Sequence, residues 1–198
     1  PLALFRMRAQ AGRHGYLPDA SISGRKRSMW SHSTKRPSSD PGRVCRWPGR
    51  EDTFDEDTFR RDVMRCCEAG IPGVYSGGTS GEFYAMEQEE FRQVTRTMVE
   101  TCHATATLAM VGCTSTYTGS AVLRARWAAE IGADAIQVAL PFWMEVVEEE
   151  VVPFFRDISR ATGGRPLSIY DTKRAKKTLT LAQHQAIKEA VPNYLMVK

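Results

Sequence analysis

Several features that would assign a function class at once are missing from this sequence of 198 residues. No apolar run approaches the eighteen or more residues that a membrane-spanning helix needs, so no membrane partner is predicted. The five cysteines form no CxxC pair, which removes the common zinc-ribbon and thiol-redox motifs. The four histidines have no metal-ligand spacing, so no metal site is predicted.

Glycine-rich nucleotide motifs are also absent. No GxGxxG follows the first predicted strand, and no P-loop occurs anywhere in the chain. We therefore expect neither a dinucleotide nor a nucleoside triphosphate, and the sequence predicts no cofactor.

Acidic residues are scarce in only one part of the chain. Residues 1–50 hold two Asp and eleven Lys or Arg, whereas the remainder holds twenty-one Asp or Glu and sixteen Lys or Arg. Residues 1–52 are rich in Arg, Ser, Gly and Pro without periodicity, so we interpret them as an irregular basic extension, either disordered or artefactual. Because residues 53–198 are mildly acidic, the net charge of +4 does not argue for nucleic-acid binding.

The cysteine pattern favours reduced thiols. Five is an odd number, and Cys66 and Cys67 are adjacent on a predicted helix, so we expect buried free cysteines and a cytoplasmic location.

Hydrophobic patterning from about residue 52 predicts an α/β fold. Short apolar runs alternate with helical patterns about every thirty residues, which is typical of βαβ units and a parallel sheet. A (β/α) barrel and an open doubly wound sheet both fit this alternation. The predicted strands are 72–76, 107–113, 135–140, 166–170 and 194–198, and the predicted helices are 55–70, 87–103, 117–131, 148–161 and 180–190.

Three residues with useful chemistry fall at the ends of predicted strands: Thr79, Tyr170 and Lys198. In a parallel barrel these ends share one face. A lysine at the end of a buried strand is expected to have a lowered pKa and can attack a ketone to form a Schiff base. Each residue also has a simpler interpretation. Thr79 would belong only to a tight strand-to-helix turn, Tyr170 would be an ordinary tyrosine of the barrel rim, and Lys198 would be an exposed last residue.

The motifs together resemble those of the dihydrodipicolinate synthase / N-acetylneuraminate lyase family. Residues 78–82, Gly-Thr-Ser-Gly-Glu, are similar to the family's G-T/S-T-G-E signature. Tyr170-Asp171, twenty-eight residues before Lys198, resembles its Tyr-Asn and Lys pair. Pro141, followed by Phe142 and Trp143, resembles its Pro-Tyr-Tyr.

The resemblance implies a truncated (β/α)8 TIM barrel with about five strands and five helices recognisable in 53–198. It implies a class I aldolase-type lyase that acts on pyruvate or a related 2-keto acid and an aldehyde, in a homotetramer without metal or organic cofactor. Lys198 would form the Schiff base, Tyr170 would transfer protons, and Thr79 would relay them. The substrate carboxylate would be bound by Gly78, Thr79 and Ser80.

Departures from the family pattern narrow this expectation. Ala175 stands where dihydrodipicolinate synthases carry an arginine, and neither Phe142 nor Trp143 has the hydroxyl of their relay tyrosine. A 2-keto-3-deoxy sugar acid aldolase or a hydratase-aldolase is therefore favoured over a true dihydrodipicolinate synthase.

The pattern lacks the family's first strand and everything beyond Lys198. Because a partial barrel leaves sheet edges exposed, we expect the chain alone to be marginally stable and inactive. A non-catalytic barrel that binds small carboxylates remains the alternative, and a phosphate-binding isomerase-type barrel is a third interpretation.

Overall fold

A computed structural model describes Ala3–Leu4 and residues 54–198. Six strands form one sheet in the order β1 to β6. Their bounds are Ala3–Leu4, Gly73–Ser76, Leu108–Gly112, Ala135–Val138, Leu167–Ile169 and Tyr194–Val197. The helices α1 to α5 span Glu56–Glu68, Gln88–His103, Thr118–Glu130, Glu148–Ala161 and Leu181–Ala190.

The strands β2 to β6 are all parallel, and each pairs with the next strand in the chain. A doubly wound sheet would reverse its strand order at a switch point, whereas a (β/α) barrel adds strands in sequence. The order within the described residues therefore selects the barrel, and the five predicted strands and five predicted helices are confirmed.

Strand β1 was not predicted. Ala3 and Leu4 pair antiparallel with Tyr75 and Val74 on the free edge of β2. They fall inside the segment 1–52 that the sequence predicts to be irregular, and the rest of that segment lies outside the described residues.

The core lies between the sheet and the helices. Phe91, Val94, Met98 and Cys102 are buried along one face of α2, as the helical spacing predicts. The inner face of α4 is buried in the same way, by Val151, Phe154, Phe155 and Ile158.

Local signals fix the helix ends. Asp55 caps α1, because its side chain accepts a hydrogen bond from the Thr58 amide at 3.0 Å. Thr180 and Gln183 form the predicted capping box of α5. No helix among the described residues combines the length and the apolar character that a membrane span requires.

Candidate active site

The carboxyl ends of the parallel strands surround a cavity of about 160 Å³. Of the residues predicted from sequence, Gly78, Thr79 and Tyr170 line it. Ser80 is exposed and does not line it. The remaining lining is mostly apolar or aromatic: Tyr75, Gly77, Phe83, Tyr84, Thr114, Ala139, Leu140, Phe142, Thr172, Arg174 and Ala175.

Lys198 lies beside this cavity rather than in its wall. Its ammonium nitrogen is 5.0 Å from the centroid of the Tyr170 ring and 5.7 Å from that of the Tyr75 ring. A cation at this distance from an aromatic face is attracted by the electron-rich ring. Lys198 is exposed among the described residues, and the burial expected for it stays a prediction.

Backbone pairing sets the position of Lys198 relative to Tyr170. The Lys198 amide donates to the Ile169 carbonyl at 2.8 Å, and the Asp171 amide donates to the Lys198 carbonyl at 3.0 Å. Lys198 therefore pairs with the strand end that carries Tyr170, so both side chains point to the same side of the sheet.

The glycine-rich segment forms a turn and then a 3₁₀ helix over Thr79–Gly81. Gly77 adopts a φ of +78°, which glycine reaches without strain. Glu82 ends the turn with a φ of +54°. It lies before α2, which begins at Gln88.

A close backbone approach holds this turn against β3. A Cβ atom added to Gly112 would lie 2.4 Å from the Gly77 carbonyl oxygen and 2.8 Å from the Tyr75 hydroxyl. Only a hydrogen atom fits there, so the approach requires glycine at position 112 and brings the turn into contact with the neighbouring strand end.

Tyr75 is a residue of the cavity wall that was not predicted from the sequence. It is 5% exposed and clusters with Met110 and Ala135 on the inner face of the sheet. Burial raises the pKa of Tyr75 well above its ordinary value, and the nearby Cys113 and Tyr170 add to this effect. The phenol is thus a neutral hydrogen-bonding group in the cavity wall, and strand alternation two residues before Gly77 could have identified it.

A buried arginine fixes the loops around the cavity. The Arg124 guanidinium donates to the carbonyls of Phe83, Thr114 and Met86 at 3.1, 2.9 and 2.9 Å. Burial lowers its pKa, while the facing Cys113 opposes that shift. One rigid side chain from α3 therefore joins the loop after β2 to the end of β3.

A second network fixes the loop after Tyr170. The Asp171 carboxylate accepts from the Leu179 amide at 3.1 Å and lies 3.4 Å from Nε2 of His184. Nδ1 of His184 is 2.9 Å from the Tyr194 hydroxyl on β6. This Asp171–His184–Tyr194 chain connects the residue after Tyr170 with the strand that carries Lys198.

The structure also shows which of the residues that depart from the family motif line the cavity. Ala175 is buried and lines the cavity, while the adjacent Arg174 is exposed and lines it as well. Phe142 lines the cavity, but Trp143 is 71% exposed and does not. The ring of Phe142 and the cation of Arg174 therefore line the cavity in the region where the family pattern has a relay tyrosine and an arginine.

The family model for the dihydrodipicolinate synthetase family matches residues 49–198, more than half of the chain. The chain belongs to this family. It is 31% identical over 114 residues to 4-hydroxy-tetrahydrodipicolinate synthase of Campylobacter jejuni subsp. jejuni serotype O:23/36 (strain 81-176), covering 58% of this chain and 38% of that protein.

The names of two other relatives indicate different reactions. An N-acetylneuraminate lyase of Enterobacter sp. (strain 638) is 31% identical over 122 residues, 61% of this chain and 40% of the lyase. The trans-O-hydroxybenzylidenepyruvate hydratase-aldolase of Pseudomonas putida is 30% identical over 125 residues, 63% of this chain and 38% of that enzyme. The chain thus spans about two fifths of the length of these curated relatives.

Solved structures confirm the barrel fold. A dihydrodipicolinate synthase crystal structure has a TM-score of 0.72 at 22% identity, covering 78% of this chain and 54% of the other. The wild-type sialic acid aldolase of Ruminococcus gnavus has a TM-score of 0.71 at 22% identity, over 76% of this chain and 50% of the aldolase. The chain therefore folds as part of a (β/α)8 barrel.

Proposed function

We propose that this protein is a class I aldolase-type lyase that forms a Schiff base between Lys198 and pyruvate or a related 2-keto acid. The observation that carries the proposal is the position of the Lys198 ammonium, 5.0 Å from the Tyr170 ring, beside a cavity lined by Gly78 and Thr79. Lyase and aldolase activities among the named relatives support the reaction class.

Each step follows from a group near the cavity. The Lys198 nitrogen gives up a proton and attacks the ketone carbon, and loss of water gives the imine. Removal of a proton from the neighbouring carbon, by Tyr170 with Thr79 as relay, gives an enamine. The enamine carbon attacks an aldehyde carbon, the aldehyde oxygen takes a proton, and water then releases the product from Lys198. Cleavage is this sequence in reverse, and neither direction needs a metal or organic cofactor.

The turn from Gly77 to Gly81 suits the carboxylate of the keto acid. Thr79 and Gly78 line the cavity, and a turn of this type presents amide groups to an anion. We assign carboxylate binding to Gly78, Thr79 and Ser80, with the Ser80 amide as the contributing group because its side chain is exposed.

The site departs from a true dihydrodipicolinate synthase at two places: Ala175 replaces an arginine, and neither Phe142, which lines the cavity, nor Trp143 has a hydroxyl. We therefore propose a different member of the family, such as a hydratase-aldolase or a 2-keto-3-deoxy sugar acid aldolase. We also propose a homotetramer in the cytoplasm, a location that the four free cysteines among the described residues support.

Exchange of the pyruvate methyl protons tests the proposal. Enamine formation and reversal in heavy water should replace methyl hydrogen by deuterium, which proton NMR follows as loss of the methyl signal. Lys198→Ala should abolish exchange, whereas Lys173→Ala, an exposed lysine of the same loop face, should not.

The alternative is a non-catalytic barrel that binds small carboxylates. The place of Lys198 outside the cavity wall favours this candidate. Pyruvate binding without methyl exchange would support the binding protein and contradict the lyase.

A further inference from the structure

We propose that His184 is a positioning residue, which holds Tyr170 and Lys198 in the arrangement that the reaction needs. His184 lies on α5 and does not line the cavity, so it acts through the residues that it joins. The inference rests on the proposed function, because Tyr170 and Lys198 are the reacting groups of that function.

His184 joins two residues that lie close in the chain to the candidate reacting groups. Its Nε2 lies 3.4 Å from the carboxylate of Asp171, which directly follows Tyr170. Its Nδ1 lies 2.9 Å from the hydroxyl of Tyr194, the first residue of the strand that leads to Lys198. The His184 and Tyr194 rings are also stacked, with centroids 6.1 Å apart and an angle of 22° between their planes. The side chains of Asp171, His184 and Tyr194 are called the His184 bridge.

The two partners define which nitrogen of the neutral ring carries the proton. A carboxylate only accepts hydrogen bonds, so Nε2 carries the proton and donates to Asp171. Nδ1 is then the acceptor, and the Tyr194 hydroxyl donates to it. Tyr194 is 8% exposed, so removal of the imidazole would leave a buried hydroxyl without this acceptor. One imidazole therefore satisfies a polar group on each side of it.

The His184 bridge spans an irregularity in the pairing of β5 with β6. Leu167 pairs with Tyr194, but the next pair joins Ser168 to Met196, so the register shifts between the two pairs. A shift of this kind disrupts the ladder locally and lets the strand bend. Strand pairing alone therefore constrains the end of β6 less than a regular ladder would.

His184 connects the two sides of this irregularity. Tyr194 lies before the shift, and Asp171 lies after it, where its amide donates to the Lys198 carbonyl at 3.0 Å. The Asp171 carboxylate also accepts from the Leu179 amide at 3.1 Å, which closes the loop that follows. A displacement of about 1 Å between reacting groups can lower a rate by about 100-fold. We therefore expect the bridge to affect the rate of the chemical steps.

Replacement of His184 tests this expectation through exchange of the pyruvate methyl protons. His184→Leu fills the volume of the ring but removes both hydrogen bonds, and we expect it to lower kcat by about 10- to 100-fold. KM should change by less than about threefold, because His184 does not line the cavity. His184→Gln keeps a donor and an acceptor and should recover most of the lost kcat. A role in packing alone would be met by leucine.

His103→Leu is the matched control. Nε2 of His103 lies 3.0 Å from the Asp134 carboxylate, but this pair is at the amino end of β4, whereas the cavity is at the carboxyl ends of the strands. We expect this variant to keep the wild-type kcat.

Tyr194→Phe tests the other end of the bridge and removes only a hydroxyl, so it remains informative if His184→Leu does not fold. It should also lower kcat. The double variant of His184→Leu with Tyr194→Phe should lose no more than His184→Leu alone, because both changes break the same connection.

Amide hydrogen exchange measures the positioning without any need for activity. The amides of Asp171 and Lys198 donate to the carbonyls of Lys198 and Ile169. We expect both amides to exchange at least about tenfold faster in His184→Leu than in the wild type, because the bridge no longer opposes local opening.

Borohydride trapping of pyruvate on the same samples separates this inference from the proposed function. A wild type with neither methyl exchange nor a trapped adduct overturns the proposed function and this inference with it. An active wild type overturns the positioning role alone if His184→Leu keeps its kcat and amide protection, if only KM changes, if glutamine recovers nothing, or if His103→Leu loses as much. A fall in kcat at nearly constant KM, recovered by glutamine, is the result we expect.

Discussion

The Lys198 ammonium lies over the ring of Tyr170 at 5.0 Å from its centroid, and two backbone hydrogen bonds between the same strand ends hold this arrangement. Tyr75 approaches Lys198 from the inner face of the sheet at 5.7 Å. The pair thus combines a candidate nucleophile with a candidate proton-transfer group, and Tyr75 supplies a buried neutral phenol beside them.

Removing the hydroxyl of Tyr170 should separate binding from proton transfer. We expect Tyr170→Phe to lower kcat by about 10²- to 10⁴-fold, the usual contribution of a general acid–base, while the ring continues to pack. Steady-state kinetics and thermal unfolding measure both effects. Tyr117→Phe is the control, because Tyr117 is 61% exposed at the start of α3. Equal activity of Tyr170→Phe and wild type would remove Tyr170 from the mechanism.

Gly112 should tolerate no side chain. An added Cβ atom would lie 2.4 Å from the Gly77 carbonyl oxygen, so Gly112→Ala should lower the free energy of unfolding by about 3 kcal/mol through overpacking. Gly119→Ala at the start of α3 should change it by less than about 1 kcal/mol, because the added Cβ meets only the exposed ring of Tyr117, at 3.2 Å, and that ring can move. Denaturant titration compares the two, and similar values for both variants would show that the close approach is unimportant.

Replacing Arg124 should lower the free energy of unfolding more than replacing a surface arginine, because Arg124 holds the loops around the cavity. Arg124→Met leaves three carbonyls without their donor, and we expect it to lower the free energy of unfolding by about 2–3 kcal/mol. Arg126→Met on the exposed side of the same helix should change it by less than about 0.5 kcal/mol. If urea midpoints for the two variants coincide, the guanidinium does not hold the loops.

Glu82 gives a pH dependence with a defined sign. Burial raises the pKa of its carboxyl above the ordinary 4.5, so the folded state keeps a proton that the unfolded state has lost. Stability therefore falls as pH rises from 4.5 through the folded-state pKa.

Glu82→Gln removes the charge and should be more stable than wild type at pH 7, with the difference vanishing below pH 4.5. Unfolding curves at several pH values measure this, with Glu68→Gln at the exposed end of α1 as control. A Glu82→Gln protein less stable than wild type at pH 7 would contradict the burial cost.

Periodicity was sufficient to predict the parallel strands and the helices, because apolar runs and capping residues such as Thr180 act locally. It could not choose the barrel, since strand order depends on long-range pairing. It also could not predict β1, where two residues complete the edge of β2 without any pattern of their own.

Only part of the candidate site could be predicted from the sequence. Gly78, Thr79 and Tyr170 follow strands and do line the cavity, whereas Lys198 lies beside it. Tyr75 and Arg124 were not predicted. In the sequence, Tyr75 has the pattern of a core residue and Arg124 that of a helix residue, and only the tertiary fold places them at the strand ends.

Borohydride reduction in the presence of pyruvate, followed by peptide mapping, is the direct test of Schiff-base formation at Lys198. We expect one reduced pyruvate adduct on the peptide that contains Lys198, present in Lys173→Ala and absent in Lys198→Ala. No adduct, or an adduct that persists in Lys198→Ala, would contradict the Schiff-base mechanism.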